Sequence, residues 1–468
     1  MNASTPRPRR STTPRTGPYR IQAARRVAYD VVRAVHAGDA YANLLLPTKL
    51  AEAKLSEGDA ALATELTYGT LRRQGSYDRV IELASGRPLS RIDPEVLDAL
   101  RLGVHQLLGM RVAPHAAVDE SVALVAAAGK RSATGFANGV LRTISRSSRA
   151  QWSERALEGL DGDQRRAMEH AHPLWVVEAF RAALTADGRV DELDAVLQAD
   201  NEPPRVGLVA LPGLAAPDEV GEPGMVSPIG ARSVGGDPAR NPVVASGRAR
   251  VQDEGSQLAA LAVSRARPVV AGERWLDLCS GPGGKAAVLA AEAAIGGATL
   301  VANELVPTRA RLVRNALAVF DDPPRVVEGD GRRFADRGQV FDRILLDAPC
   351  TGLGALRRRP EARWRKKPSD VAALTVLQGE LLEAAIEALA PGGLIAYVTC
   401  SPHLAETRGV VAAALERHPG LTALDTPAVL ARIATRELDL APASHAQLWP
   451  HRHGTDAMFI QLMAKVEA

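Results

Sequence analysis

The chain reads as a multidomain protein, an all-α N-terminal part followed by an α/β domain built on a doubly wound parallel sheet. Three observations predict this. Apolar residues recur at spacings of three and four through the first third of the chain. Short apolar runs alternate with helix-period segments after Val251. The 468 residues, 46% of them hydrophobic, are also too many for a single core.

In chain order, residues 1–20 carry five Arg, four Pro and no acid. Such a segment cannot bury a core and is expected to stay disordered, as a solvated tail or a weak phosphate-attracting arm. From Ile21 the stripe Val27, Val31, Val32 and Val35 marks a helix. Similar stripes recur in ALATELTYGTLRRQ, DPEVLDALRLGVHQLLGM and HAAVDESVALVAA, with Asp93-Pro94 as cap and first-turn pair and Pro114 as a break. A helical domain over 21–147 follows. Residues 148–250 read as a helical connector leading into a small α+β insert or a linker, because Pro and Gly are dense over 201–250. Over 251–468 the strands WLDLC, TLVANE, RVVEG, DRILLDA and LIAYVTC are each followed by a helical segment, the signature of a parallel sheet. HGTDAMFIQLMAK reads as an antiparallel edge strand closing that sheet.

Lys and Arg total 57 against 54 Asp and Glu, a net charge of +3, so nucleic-acid binding has to come from local clustering. Three cysteines without CxxC or Cys/His spacing exclude a disulfide framework and point to thiol chemistry in a reducing compartment. His36, His105, His115, His403, His451 and His453 show no ligand spacing, and no metal is expected. No run approaches about 18 consecutive apolar residues, and the N-terminus lacks the apolar core of a signal peptide. A soluble, cytoplasmic protein with no membrane partner is expected. No exposed apolar stripe asks for an obligate dimer, so a monomer is expected.

Chemistry concentrates in the last domain. In WLDLCSGPGGKAAVLAA a strand ends near Cys279, a turn carries Gly281, Gly283 and Gly284, and a helix opens near Lys285. Glycine allows close backbone approach, and the helix start offers unpaired N–H groups. Glu304 ends the next strand, where a carboxylate can take both hydroxyls of a ribose. An adenosine-type cofactor is the inference, and the absent GxxxxGK[ST] spacing disfavours a nucleoside triphosphate. Asp330 and Asp347 each follow a predicted strand and face the same crevice. Asp330 suits an adenine contact or a turn cap, and Asp347, before Ala-Pro-Cys, suits a site carboxylate or an Asx-turn.

Cys279, Cys350 and Cys400 follow three different strands at their carboxyl ends, so the fold gathers them on one rim. Cys279, inside the glycine loop, is expected to pack or to offer its backbone. Cys350 and Cys400, beside two carboxylates, suggest a thiolate nucleophile. The segment LRRRPEARWRKK (356–367) then supplies seven cations, one acid and an aromatic ring. Such a run is either a solvated face or a nucleic-acid contact, and its place at the rim with an aromatic ring favours the latter, through Arg357, Arg358, Arg359, Arg363 and Trp364.

The motifs DLCSGPGGKAA, DAPCTGLGALRRRPEARW and YVTCS resemble the signatures of the NOL/NOP/Sun family of RNA 5-methylcytosine methyltransferases. The N-terminal helices are similar to NusB-type RNA-binding domains, and HPLWVV and VQDEGSQLAA resemble the Sun (RsmB-type) enzymes of small-subunit (16S) ribosomal RNA. The fold class implied is a NusB-like helical domain plus a Rossmann-like, class I S-adenosylmethionine-dependent methyltransferase domain. The resemblance implies that Cys279, Ser280, Gly281, Pro282, Gly283, Gly284 and Lys285 line S-adenosylmethionine, that Glu304 takes the ribose, and that Asp330 lies near the adenine. It assigns Cys400 as the nucleophile at cytosine C6, Asp347 as the contact at N3 that also borders the cofactor, and Cys350 as the residue that assists enzyme release. Ser280-Gly281 stand where the family commonly has two alanines, and Glu304 replaces the usual aspartate. Two other readings compete. A nicotinamide-dependent oxidoreductase leaves both cysteine motifs unexplained, and a non-catalytic RNA-binding assembly factor predicts loss of motif residues that are all present.

Overall fold

The structure is a computed structural model and describes residues 21–38 and 40–466; the N-terminal tail read from the sequence lies outside them. It divides into two compact units after Glu158.

The first unit is all helix: Ala23–Ala37, Ala42–Ala53, Glu57–Arg72, Gln74–Ser85, Pro94–Val104, Pro114–Ala127, Thr134–Ser145 and Arg149–Leu157. Val27, Val31, Val32 and Val35 are buried as their spacing predicts. Asp93 precedes the Pro94 helix, but its side chain makes no cap and instead meets Lys130 Nζ at 3.1 Å. The last of these helices, Arg149–Leu157, packs with this unit: Trp152 is buried in its core and donates from its indole N–H to the Ile144 carbonyl at 2.9 Å. Ser148 and Gln151 close a capping box at its start.

In the second unit, helices Gly162–Glu169, Leu174–Ala186 and Leu193–Ala199 share a core with Leu353, Leu356 and Trp449. Residues 201–250 are a built subdomain. Strands β1 (Gly207–Ala210), β2 (Glu222–Pro223), β3 (Gly230–Arg232) and β4 (Ala249–Val251) form an antiparallel sheet in the order β2-β3-β1-β4. Glu254 anchors it, accepting the Met225, Val226 and Ser227 N–H groups at 2.7–2.8 Å.

The larger sheet contains β5 (Arg274–Asp277), β6 (Thr299–Glu304), β7 (Arg325–Glu328), β8 (Phe341–Asp347), β9 (Leu389–Thr399), β10 (Leu421–Ala423), β11 (Ala446–Gln447) and β12 (Phe459–Lys465). Its order is β10-β12-β9-β8-β5-β6-β7, with β11 also on β12. Strands β5 to β9 pair in parallel and β12 runs antiparallel to β9. Strand β12 is not the edge that the sequence suggests, since β10 covers it. Residues 459–463 are buried on both faces, which suits an interior strand better than a solvated edge. Chain order reverses between β5 and β8, and the crevice at the carboxyl ends of the strands opens there. No helix among the described residues is long and apolar enough to cross a membrane.

Candidate active site

The turn after β5 is locked to the end of β6. Ser280 donates from its N–H and its hydroxyl to the Asn303 carbonyl, both at 2.9 Å. The Gly281 N–H donates to Glu304 Oε2 at 2.9 Å, and Arg309 donates to the Gly281 carbonyl at 2.6 Å. A Cβ on Gly281 would stand 2.1 Å from Glu304 Oε2, and one on Gly283, at φ +105°, would stand 2.6 Å from Ala316 Cβ. Gly283 therefore requires glycine, and a side chain at Gly281 would have to displace the Glu304 carboxylate. Helix Gly284–Gly296 opens on the turn, so its first amides lack intrahelical partners. A tight glycine cradle, a helix N-terminus and a buried carboxylate at the next strand end suit the ribose and backbone contacts of an adenosine-type cofactor.

Beneath the turn lies Asp277, fully buried, with the Cys279 backbone N–H beside its carboxyl. Burial, with Asp347 adding to it, pushes this carboxyl up to about 8. Cys279 packs against the core of the sheet, and burial pushes its thiol well above the ordinary value. Asp330 takes the turn-capping role. It accepts the Arg332 N–H at 3.0 Å and pairs with the Arg332 guanidinium, whose hydrogen bond holds it below the usual carboxylate range.

The loops after β8 and β9 bring two of the three cysteines together. Cys350 Sγ and Cys400 Sγ lie 3.4 Å apart, while Lys285 Nζ stands 2.8 Å from Asp347 Oδ2 and 3.1 Å from Ser256 Oγ. The hydrogen bond from Cys350 lowers the Cys400 thiol below its ordinary value against the opposing effect of burial, with Lys285 and Arg359 helping and Asp347 resisting. Cys350 is raised well above, first by the Cys400 sulfur it bonds and then by burial. Within the pair, ionisation is favoured at Cys400 over Cys350.

The sequence gives no sign of what supports these loops. Glu406 is completely buried and receives donors from Thr351, Ser401 and Gln378. In the sequence it resembles any acid near a helix start. Gly354 donates to the Cys400 carbonyl at 2.9 Å, and a Cβ there would stand 2.0 Å from the Ala457 oxygen.

The basic segment requires a correction. Arg357 is buried and donates to Asp456 Oδ1, Asp253 Oδ2 and the Gly454 carbonyl at 2.8–3.2 Å. Arg358 pairs with the same two carboxylates. Arg363, 0% exposed, donates to the Ala171 and Asp200 carbonyls and to Asn201 Oδ1. These three cations fasten the loop to the connector and to the segment before β12; Arg357 and Arg363 are buried there and not presented to a phosphate, whereas the Arg358 side chain keeps 33% of its surface exposed. Their partners lie about 100 to 200 positions away in the chain, so spacing does not reveal them. Arg359 is exposed and Trp364 partly so.

Residues 22–146 match the NusB family, and residues 267–464 match the family described as 16S rRNA methyltransferase RsmB/F. A Mycobacterium tuberculosis chain designated a methyltransferase is 48% identical over 97% of this chain and 100% of its own length. Ribosomal RNA small subunit methyltransferase B of Pseudomonas putida is 33% identical over 96% of this chain and 99% of its own length. Among solved structures, that of PH0851 superposes with a TM-score of 0.77 at 20% identity, covering 95% of this chain and 99% of that one. A methyltransferase homolog protein from Pyrococcus horikoshii gives 0.50 at 20% identity, over 66% of this chain and all of that one.

Proposed function

The chain belongs to the 16S rRNA methyltransferase RsmB/F family, and on that premise we propose that it methylates C5 of a cytosine in small-subunit ribosomal RNA, using S-adenosylmethionine. The observation that carries this reading is the 3.4 Å contact between Cys350 and Cys400, beside the Lys285–Asp347 pair at the ends of the adjacent strands β8 and β9. The family relationship and the glycine cradle support the donor.

Cytosine C5 is a poor nucleophile until a thiolate adds across C6. Cys400, the sulfur with the lowered pKa, forms the S–C6 bond. The carboxylate of Asp347, held by Lys285, faces N3 and stabilises the proton that N3 takes up from solvent, so the ring accepts the electron pair. The bound donor supplies an electrophilic methyl group on a sulfonium. With Cys400 bonded to C6 its charge no longer opposes ionisation of Cys350, which releases its own proton to solvent and then takes the C5 proton, and the returning pair expels Cys400 Sγ. The backbone of Cys279 to Lys285 and the Glu304 carboxylate hold the donor, with Asp330 at the adenine side. Arg359 and Trp364, at the rim, meet the RNA. The target base has to be unstacked, since C6 is closed off inside a helix.

The test is tritium transfer from methyl-labelled S-adenosylmethionine to small-subunit ribosomal RNA lacking the modification, followed by nucleoside analysis. Label in 5-methylcytosine is expected. Label in another nucleoside overturns the C5 assignment, and cofactor binding without label favours a non-catalytic RNA-binding factor.

A further inference from the structure

The two sulfurs touch where the residues that follow them are held by one side chain. Thr351 follows Cys350 and Ser401 follows Cys400. The carboxylate of Glu406 accepts the Thr351 N–H at 2.7 Å, the Thr351 hydroxyl, the Ser401 hydroxyl at 2.6 Å and the Gln378 amide at 3.3 Å. Four donors fill the acceptor capacity of one carboxylate. Glu406 is itself fixed, because its carbonyl accepts the Tyr397 hydroxyl at 2.7 Å. Gln378 also donates to the Pro349 carbonyl at 2.8 Å, which ties the near side of the Cys350 loop to the same centre.

We propose that Glu406 is a positioning residue for the methyl-transfer chemistry, a buried clamp that joins the Cys350 loop to the Cys400 loop and so sets the contact between the two sulfurs. The inference rests on the roles proposed above for that pair. Two direct contacts also join the loops, the Gly354 N–H to the Cys400 carbonyl at 2.9 Å and the Thr351 hydroxyl to the Ser401 hydroxyl at 3.1 Å, and Glu406 accepts from both of those hydroxyls. Joined through one saturated carboxylate, the loops move together.

The charge of Glu406 acts in the same direction. Cys350 is faced by Cys400, Glu406 and Asp347, all of which disfavour its ionisation. Cys400 is faced by the Cys350 thiol, Asp347, Lys285 and Arg359. Negative charge on the Cys350 side and cations on the Cys400 side keep the shared proton on Cys350.

The experiment uses the full chain. Glu406→Gln keeps the shape and removes the charge, whereas Ser401→Ala and Thr351→Val each cut one arm. Alkylation of Cys350 and Cys400 by iodoacetamide is followed against pH by site-resolved mass spectrometry, alongside kcat and KM. In the wild type, Cys400 is modified first, with a midpoint below that of an ordinary thiol. In Glu406→Gln the Cys350:Cys400 labelling ratio rises about tenfold, the ratio that a change of about one in pKa produces. The Cys400 midpoint moves up, and kcat falls about 100-fold, the scale of a small misplacement, with KM for donor and RNA held. Wild-type labelling and kcat in a folded Glu406→Gln overturn the clamp. If that variant does not fold, the same result in both Ser401→Ala and Thr351→Val overturns it. Labelling does not depend on methyl transfer. A shifted ratio in a chain that methylates no cytosine therefore sinks the proposed function alone, and an unshifted ratio in an active methyltransferase sinks the clamp alone.

Discussion

Lys285 reaches across the crevice to Asp347, Nζ to Oδ2 at 2.8 Å, from the first turn of the helix that opens on the glycine turn. The resemblance places Lys285 with the cofactor-lining segment, whereas its ammonium serves the side of the site that holds Asp347 and Cys400. Burial works against its charge, and Asp347 outweighs that effect and raises it. Lys285→Met leaves a half-buried carboxylate without its cation, and about 3 kcal/mol of stability is expected to go with it. Urea unfolding measures that loss, and alkylation of Cys400 at higher pH than in the wild type reports the loss of the nearby positive charge. Unchanged values in both would remove Lys285 from the site.

The two cysteines separate by consequence. Cys400→Ala is expected to abolish the covalent adduct with RNA containing 5-fluorocytosine, whereas Cys350→Ala is expected to accumulate a protein–RNA species that survives denaturing electrophoresis. The pH dependence follows the direction of the shift. The reactive form of Cys400 is the thiolate, so the rate of adduct formation rises with pH through a pKa held below the ordinary thiol value by Cys350. Removing the Cys350 sulfur removes that hydrogen bond, and the midpoint moves up. A midpoint that stays put would mean that the 3.4 Å contact does not tune the nucleophile.

What the sequence displays and what it hides divide along a physical line. Strand β8, with Ile344, Leu345 and Leu346 all fully buried, is legible because a strand covered on both faces must be a continuous apolar run. The ends of such strands must share one rim, which is how Asp347, Cys350 and Cys400 are found. Glu406 and the partners of Arg363 are not legible. Each side chain is defined by donors and acceptors that only the folded chain brings near, and neither has a spacing of its own. For the same reason Arg363 looks, in sequence, like the exposed Arg359 four residues before it.

Asp277 makes stability depend on pH in the direction opposite to most carboxylates. Its pKa of about 8 in the folded chain exceeds the ordinary carboxylate value. Its contribution is therefore full below that ordinary value and is lost as pH rises towards 8. Between pH 6 and 8.5 the wild type is expected to lose about 2 kcal/mol that Asp277→Asn does not lose. Urea unfolding of both chains at the two pH values checks it, and parallel curves would show that Asp277 is ionised, with a partner, in the fold.

Arg363 and Arg359 supply the sharpest contrast within the basic segment. Arg363 is fully buried, and three of its bonds hold backbone or amide oxygens of the connector. Removing it strands those acceptors in a dry environment and leaves a cavity the size of the side chain. Arg363→Ala is expected to cost about 3 kcal/mol or more in urea unfolding. If the variant still folds, the salt dependence of RNA binding should not change, because a buried guanidinium releases no counterion. Arg359 is exposed at the rim, so Arg359→Ala should lower the slope of log Kobs against log salt by about one. The reverse pattern, with a changed salt slope for Arg363→Ala and none for Arg359→Ala, would mean that the loop opens on RNA and turns its buried cations outward.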